Sequence, residues 1–228
     1  DLTVLENLRF YAGIYGVPWR TRSARVAGVI ERIGLGDRQH QLAGTLSGGW
    51  KQRLALACST IHEPPLLFLD EPTAGVDPLS RRSFWDQIHT LADEGTTVVV
   101  TTHYMDEAER CHRLSFIFRG AVLEAGTPLE VVARRKLRIL ELDVPTHARR
   151  AADALREDPR VEEVAPFGTR LRVAVRDRDP REVVTTVLDP LGFVYTDHGE
   201  QRATVEDAFV ALVHDDQRAD ERASEAAA

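Results

Sequence analysis

Cysteine, lysine and long apolar runs are all scarce in this sequence of 228 residues. Its two cysteines, Cys58 and Cys111, lie in segments with helical spacing, so we expect reduced core thiols rather than a disulfide framework or a metal site. No uncharged stretch, that at residues 95–104 included, reaches the roughly 18 residues of a membrane span. No secretory leader is recognisable, so we expect a cytosolic protein that reaches a membrane only by docking on another chain.

Positive charge is not clustered in this sequence. Lysine and arginine number 29 against 36 aspartates and glutamates, which gives a net charge of −7. Lysine occurs only at Lys51 and Lys136. Proteins whose main role is to bind nucleic acid or an anionic membrane usually present a clustered positive face. We therefore expect no nucleic-acid partner.

The sequence marks three helix starts. Thr3 and Glu6 form the T-x-x-E pattern of a capping box, and Asp77 precedes a proline, which is a favoured first residue of a helix. The third start is the Gly-Gly turn in LSGGWKQR, residues 46–53, where Ser47 is a good N-cap residue. The free N–H groups behind Ser47 and the positive end of the helix dipole make this turn suited to bind an anion.

A second stretch, LLFLDEP at residues 66–72, is an apolar run that ends abruptly in Asp70 and Glu71. A helical segment and the β-branched run 96–102 follow it. Strand, helix and strand at this length predict a βαβ unit with two buried parallel strands. Because both strands then end at the same sheet edge, we expect Asp70, Glu71 and His103 to cluster there. Ligands of open α/β sheets bind at that edge.

In this order and at this spacing, LSGGWKQRL, LLFLDEPTAGVD and VVVTTHYMDEAE resemble the nucleotide-binding subunit of ATP-binding cassette (ABC) transporters. The resemblance covers roughly residues 1–135, more than half of the chain. It implies an α/β fold of the P-loop NTPase type, with a helical subdomain and a parallel-sheet core. It also implies ATP and Mg²⁺ as cofactors.

The resemblance assigns chemistry to three residues. Asp70 matches the Walker B aspartate, which serves Mg²⁺, a cation that takes one or two carboxylates together with phosphate oxygens and water. Glu71 matches the catalytic glutamate, the general base that polarises the attacking water. His103 matches the switch histidine, which would contact the γ-phosphate and help to hold Glu71. Taken singly, these residues have plainer alternatives: a turn aspartate, a surface glutamate and a structural histidine.

The resemblance also implies an ATP site that two subunits share. Ser47, Gly48 and Gly49 match the signature motif, which closes over the γ-phosphate of the ATP bound to the opposite subunit of a dimer. Trp50 stands where glutamine is more usual, and plain packing is the alternative role for its side chain. Asp77 matches the D-loop, which couples the two sites across the dimer, and this role is compatible with capping the next helix.

The phosphate-binding motif G-x-x-x-x-G-K-[ST] is absent, because neither Lys51 nor Lys136 follows such glycines. In the family this loop, the adenine-stacking aromatic and the glutamine of the Q-loop lie upstream of the region that the sequence resembles. We therefore expect an incomplete cassette that lacks its first third. Such a chain would lack the lysine and the backbone amides that carry most of the binding to the β- and γ-phosphates.

We expect three parts: a cassette over residues 1–136, a small α+β domain over 137–214, and a disordered tail over 215–228. The predicted order βαββαβ in the second part, with its last strand at 193–196, indicates a ferredoxin-like sandwich. This part resembles, more loosely, the C-terminal extension of exporter ATPases of the daunorubicin-resistance type. The tail is expected to be disordered because it is rich in Ala, Glu, Arg and Asp.

Together these features predict the ATP-hydrolysing subunit of an ABC-2-type exporter of drugs or other small molecules, peripheral on the inner face of the cell membrane. The expected partners are a second ATPase subunit, in a homodimer or heterodimer, and an ABC-2-type integral membrane permease. Two alternatives stay open. In the first, the chain is a non-catalytic cassette that completes a partner's ATP site, or a fragment without function. In the second, it is a non-transport cassette ATPase; such proteins usually have long coiled coils or two cassettes in tandem, and neither is seen in this sequence.

Overall fold

The computed structural model describes residues 1–226 and contains two compact units, one ending at His103 and one beginning at Tyr104. The first unit contains α1 (Val4–Ile14), α2 (Trp19–Arg32), α3 (Gly48–Thr60), β1 (Leu66–Asp70), α4 (Pro78–Asp93) and β2 (Thr97–Thr101). The second contains α5 (Met105–Ala108), β3 (Leu114–Phe118), β4 (Ala121–Gly126), α6 (Pro128–Arg135), β5 (Leu137–Asp143), α7 (Ala148–Arg156), β6 (Val161–Phe167), β7 (Arg170–Arg176), α8 (Pro180–Leu188), β8 (Thr196–Gln201) and α9 (Val205–Ala226). Within residues 1–226, no helix combines the length and apolar character needed to cross a bilayer.

Helices α1, α2 and α3 pack around one apolar core. The predicted capping box begins α1: the Thr3 hydroxyl accepts the Glu6 N–H at 3.2 Å, and the Glu6 carboxylate accepts the Thr3 N–H at 2.8 Å. Every fourth residue of α1 is buried, as expected of a helix that turns one stripe towards a core. The buried core residues contributed by the three helices and their connections include Val4, Leu8, Ala12, Val26, Ile30, Leu35, Leu54, Cys58 and Ile61.

Strands β1 and β2 pair in parallel and are connected through α4, so the predicted βαβ unit is confirmed. The expected burial of both strands is wrong, because β2 contains no buried residue and Phe68 of β1 is exposed. Their register places Asp70, the last residue of β1, opposite Thr101, the last residue of β2. The helix between them begins where the sequence predicts, because Asp77 Oδ1 accepts the Ser80 N–H at 2.9 Å and Pro78 follows the cap. Both strands therefore deliver the residues that follow them to the same sheet edge.

The second unit contains an antiparallel sheet of order β6-β7-β5-β8, which is the ferredoxin-like arrangement that the sequence predicts. Helices α7 and α8 cover one face of this sheet. The shared core includes Leu140, Leu142, Ala152, Leu155, Leu171, Val173, Val184 and Leu188. The last strand differs from the prediction, because it spans Thr196–Gln201 rather than 193–196. Phe193 and Tyr195 instead pack against the core from the preceding loop.

Helix α9 covers the other face of the same sheet. Arg172 and Arg176 of β7 alternate with core residues, so their side chains leave the opposite face. Arg172 pairs with Asp207 and Arg176 with Asp215, both at 3.1 Å, and both aspartates belong to α9. The apolar side of α9 packs against residues 104–136. Together they form a second cluster of buried residues in this unit: Phe116, Val131, Val205, Ala208 and Leu212.

Two expectations about domain organisation meet this arrangement differently. Residues 104–136 share a core with α9 in the second unit, whereas the sequence groups them with the cassette; the domain boundary at 136 stays a prediction. The expected disorder of 215–228 is wrong for 215–226, because α9 continues to Ala226. Ala, Glu and Arg favour helices, and the acidic side chains of this segment pair with arginines outside it, such as Arg119 with Asp220. Residues 227–228 lie outside the described residues.

Candidate functional site

Three of the predicted site residues meet at the carboxyl edge of β1 and β2. Asp70 ends β1 in an exposed position, and the Thr101 hydroxyl of β2 donates a hydrogen bond to its Oδ1. The N–H of Glu71, the next residue, is accepted by both the carbonyl oxygen of Thr101 at 3.1 Å and the Thr101 hydroxyl at 3.2 Å. The strand pair thus fixes the backbone from which both carboxylates project.

His103 lies beside Glu71 at this edge. Its Nδ1 is 3.4 Å from Glu71 Oε1, and both side chains are more than half exposed, at 57 % and 53 %. The backbone of Glu71 has φ of +42°, a left-handed conformation that is uncommon for a residue with a Cβ and that is concentrated at functional sites. The edge therefore presents two carboxylates and one imidazole to solvent on a strained turn.

The other predicted residues form a second group, at the N-terminal ends of α3 and α4. Ser47 is the N-cap residue of α3, as predicted, but its side chain makes no capping hydrogen bond. Gly49 allows α3 to approach α4 closely, since a Cβ added to it would lie 2.6 Å from the Cβ of Ser80. Hydrogen bonds from the Ser80 hydroxyl and N–H lower the pKa of the Asp77 carboxyl, which stays ionised at neutral pH.

Trp50 has a packing role in this structure. It packs against the core of the first three helices, and the guanidinium of Arg53 lies 4.7 Å from its ring centroid. Arg38 approaches the same ring at 5.9 Å. These contacts support the packing alternative for Trp50 and leave the backbone N–H groups of Gly48 and Gly49 at the helix start.

Thr101 is a residue of this site that the sequence analysis missed. Its side chain contacts Asp70 and its main chain contacts Glu71. The signal was present, because a hydroxyl residue ends β2 two positions before His103. What the sequence does not give is the register, which alone places Thr101 opposite Asp70.

The donor set at the sheet edge fits a shared Mg²⁺ site rather than an all-protein one. Among the residues that the structure describes, no group of three or more histidines, cysteines, aspartates or glutamates is arranged to hold a metal. Mg²⁺ commonly binds one or two carboxylates and completes its shell with phosphate oxygens and water. The exposed Asp70 can supply a carboxylate, and a bound nucleotide can supply the phosphate oxygens. The N-terminal end of α3 likewise suits a phosphate oxygen.

Comparison with known proteins shows which family this chain is similar to. The sequence profile of the ABC transporter family matches residues 1–74. The daunorubicin/doxorubicin resistance ATP-binding protein of Streptomyces peucetius is 36 % identical over 241 aligned positions, which cover 100 % of this chain and 69 % of that protein. The Nod factor export ATP-binding protein I of Burkholderia thailandensis is 34 % identical and is aligned over 93 % of this chain and 68 % of its own length.

Two further comparisons cover shorter parts. A probable multidrug ABC transporter ATP-binding protein of Escherichia coli is 48 % identical over 134 residues, which are 59 % of this chain and 23 % of that protein, so the chain spans about a quarter of its length. A solved structure of the ATP binding subunit of an ABC transporter matches with a TM-score of 0.51 and 28 % identity, over 59 % of this chain and 56 % of the solved chain. The alignments over the whole chain and the structural match agree that this chain belongs to the family of ABC transporter ATP-binding proteins.

Proposed function

We propose that this chain is the ATP-binding and ATP-hydrolysing subunit of an ABC-2-type exporter of drugs or other small molecules. The observation that carries the proposal is the cluster at the end of β1 and β2, where Glu71 Oε1 lies 3.4 Å from His103 Nδ1 and directly follows Asp70. The names of the relatives, which refer to drug resistance and export, support the choice of an exporter.

Each residue of the cluster has a role in this proposal. MgATP, when bound, would supply the phosphoryl group and a metal that neutralises charge on the phosphates. The Asp70 carboxylate would hold Mg²⁺, directly or through its water shell. The Glu71 carboxylate orients the attacking water and accepts its proton, and His103 holds Glu71 and meets the γ-phosphate. Positioning and charge stabilisation account for most catalysis of phosphoryl transfer, so this small set of side chains is sufficient for this part of the reaction.

The remaining predicted residues act between subunits. The backbone N–H groups of Ser47, Gly48 and Gly49 donate to the γ-phosphate of an ATP held by a second ATPase subunit, in a homodimer or heterodimer. Asp77, ionised and fixed by Ser80, couples the two sites. Closing and reopening of this dimer drives an ABC-2-type permease, to which the chain docks at the cytoplasmic face of the membrane.

One observation favours a second candidate, a non-catalytic cassette. The 228 residues contain no G-x-x-x-x-G-K-[ST], so the main cradle for the β- and γ-phosphates is not supplied by them. In this candidate the start of α3 completes the ATP site of a partner, and the chain alone binds no nucleotide. Titration of the chain with MgATP separates the two candidates, because binding in the micromolar range contradicts the non-catalytic one.

The decisive experiment for hydrolysis is Glu71→Gln in the protein assembled with its partner subunits. Removing a general base typically lowers turnover by about 10²–10⁴-fold, so we expect steady-state phosphate release to be lost while ATP binding is retained. Glu94→Gln is the matched control, because Glu94 is an exposed carboxylate that pairs only at the surface with Arg32, at 3.3 Å. Hydrolysis at the wild-type rate in Glu71→Gln contradicts the assignment.

We also propose a dimer-contact or regulatory role for residues 137–214. These residues contain no catalytic constellation, and several of their charged side chains pair with one another, as Arg138 does with Glu200 at 2.7 Å. Because α9 shares a core with residues 104–136, a deletion after Lys136 exposes apolar side chains. Point substitutions at the ion pairs are therefore the better test of this role.

A further inference from the structure

Thr101 makes two side-chain hydrogen bonds that the sheet itself does not require. The pairing of β1 with β2 uses backbone groups, and the carbonyl oxygen of Thr101 already accepts the Glu71 N–H at 3.1 Å. In addition, the Thr101 hydroxyl accepts the same N–H at 3.2 Å and donates its proton to Asp70 Oδ1. A threonine hydroxyl has one proton to donate and two lone pairs to accept with, so both bonds form at once.

The carbonyl and hydroxyl oxygens of Thr101 both accept the N–H of Glu71, the residue of the site with a strained backbone. Glu71 has φ of +42°, a conformation that persists only where the surroundings fix it. Its N–H is shared between two oxygens of one residue. The backbone orientation of Glu71, and with it the direction of its carboxylate towards His103, is therefore set from β2.

The hydrogen bond from the Thr101 hydroxyl to Asp70 orients the proposed Mg²⁺ ligand. The hydroxyl engages Oδ1, which fixes the rotation of the carboxylate and leaves Oδ2 for a cation. Ligating carboxylates are commonly oriented by hydrogen bonds of this kind, and their loss lowers metal affinity or activity.

We propose that Thr101 is a positioning residue for hydrolysis: its hydroxyl orients the Asp70 carboxylate for Mg²⁺ and the Glu71 backbone for the attacking water. The inference rests on the proposed function of Asp70 and Glu71. Thr101 itself touches neither nucleotide nor water in this proposal and acts through its two neighbours. A plain structural role, that of a β-branched residue suited to a strand, needs the shape of Thr101 but not its hydroxyl.

The chain offers a matched set of variants. Thr101→Val keeps the β-branched shape and removes the hydroxyl, and Thr101→Ser keeps the hydroxyl and removes a methyl group. Thr97→Val is the control, because Thr97 is an exposed residue of the same strand face whose register partner is Leu66, a residue without a side-chain acceptor. Thermal unfolding of all three variants checks that each one folds.

Kinetics and hydrogen exchange provide two independent measurements. In the assembled protein we expect Thr101→Val to lower kcat about tenfold or more, to raise the Mg²⁺ concentration needed for half-maximal rate, and to leave the KM for ATP nearly unchanged. In the chain without nucleotide, amide exchange of Glu71 should become about fivefold faster in Thr101→Val, as expected when one hydrogen bond of ordinary strength is lost. Thr101→Ser should restore both properties, and Thr97→Val should change neither.

The possible outcomes separate the two proposals. Wild-type kcat and wild-type exchange of Glu71 in Thr101→Val overturn the positioning role, as does a Thr101→Ser variant that remains as slow as Thr101→Val. If the wild-type assembly hydrolyses no ATP, the proposed function fails, but the exchange of Glu71 still decides whether the hydroxyl holds the turn. Faster exchange with an unchanged kcat leaves the contact in place and overturns its contribution to hydrolysis.

Discussion

The two units of this molecule cover their sheets to different extents. In the first, the β1–β2 pair leaves apolar side chains on one face in solvent, and Phe68 is 70 % exposed. In the second, α7 and α8 cover one face of the ferredoxin-like sheet and α9 covers the other. A parallel pair is ordinarily buried on both faces, so the first unit has an apolar surface suited to burial by further polypeptide. The residues proposed for catalysis lie on the unit whose sheet is open.

This difference separates two sources of order. In the second unit, apolar burial on one face and ion pairs on the other both hold the sheet. In the first, α1, α2 and α3 form an apolar core, and Phe84, Trp85 and Ile88 of α4 are buried as well. The edge that carries Asp70 and Glu71 is held by the pairing of β1 with β2 and by side-chain hydrogen bonds from Thr101. An exposed, strained edge is suited to rearrange on binding a ligand, and a covered sheet is suited to act as a fixed support.

The largest expected effect on stability comes from truncating a buried apolar side chain of the second unit, and truncating an exposed one in the first unit is its counterpart. Leu171→Ala removes a fully buried residue of the second unit, and burial of this kind costs about 2–5 kcal/mol of unfolding free energy when it is lost. Phe68→Ala removes a side chain that is mostly in water, so we expect a change within about 0.5 kcal/mol. Urea unfolding followed by circular dichroism measures both variants on the same chain.

A larger loss of stability in Phe68→Ala than in Leu171→Ala would contradict the difference in coverage between the two sheets. A loss above about 2 kcal/mol in Phe68→Ala shows that the face of β1–β2 is buried in solution, for instance by a second copy of the chain, because exposed substitutions rarely cost so much. Repeating the unfolding at a tenfold lower protein concentration distinguishes the two cases, since stability that depends on association falls on dilution.

The sequence predicts the local features of this fold well because they depend on near neighbours. The Thr3–Glu6 capping box and the Asp77 cap each join residues three apart, and the hydrophobic pattern alone indicates the βαβ unit. Features that depend on distant partners were missed or wrong. The predicted strand at 193–196 is apolar because Phe193 packs on the core, whereas the true β8 is a polar edge strand whose sequence carries little strand signal.

The candidate site shows the same division. The meeting of Asp70, Glu71 and His103 follows from the rule that parallel strands connected by a helix end at one sheet edge. The part played by Thr101 does not follow, because it depends on which residue of β2 lies opposite Asp70. The length of α9 also depends on tertiary partners: a segment whose composition indicates disorder is helical where arginines of other elements pair with its aspartates.

A smaller effect is expected when those pairs are removed. Asp215 of α9 lies 3.1 Å from Arg176 of β7 and 3.6 Å from Arg135 of α6. Its side chain is about one-third exposed, and pairs in such settings typically contribute about 0.2–1 kcal/mol. We expect Asp215→Asn to speed amide exchange in residues 215–226 several-fold, with little change in exchange around Leu171. Hydrogen exchange read by mass spectrometry measures both regions together.

Asp153→Asn is the matched control for this variant. Asp153 pairs with Arg156 at 2.9 Å within one helix, so its loss removes a local ion pair without releasing α9. Unchanged exchange of residues 215–226 in Asp215→Asn contradicts the view that ion pairs hold this part of the helix. In that event helix propensity alone is the better explanation.

The smallest effect at neutral pH comes from the two thiols, which provide one probe in each unit. Cys58 is 4 % exposed in the core of the first three helices, and burial raises its pKa to about 12 from an ordinary value of 9.0. Cys111 is partly exposed, and burial together with the neighbouring Glu107 carboxylate raises its pKa. Because the thiolate is the reactive form, we expect iodoacetamide to label Cys111 well before Cys58, as mass spectrometry of the labelled peptides will show.

The pKa of Cys58 also fixes the sign of a pH dependence. Below pH 9 the thiol is neutral in both the folded and the unfolded chain, so its contribution to stability is fully present. Between pH 9 and about 12 only the unfolded chain ionises it, and that contribution is lost as the pH rises. Cys58→Ala should therefore show a shallower fall of unfolding free energy over this range than the wild type. Because the pKa of Cys111 is also raised, Cys111→Ala should change the slope in the same direction. Equal slopes in Cys58→Ala and the wild type, together with fast labelling of Cys58, mean that the core of the first unit opens readily. The difference between the two units would then extend from the open sheet to the helices that support it.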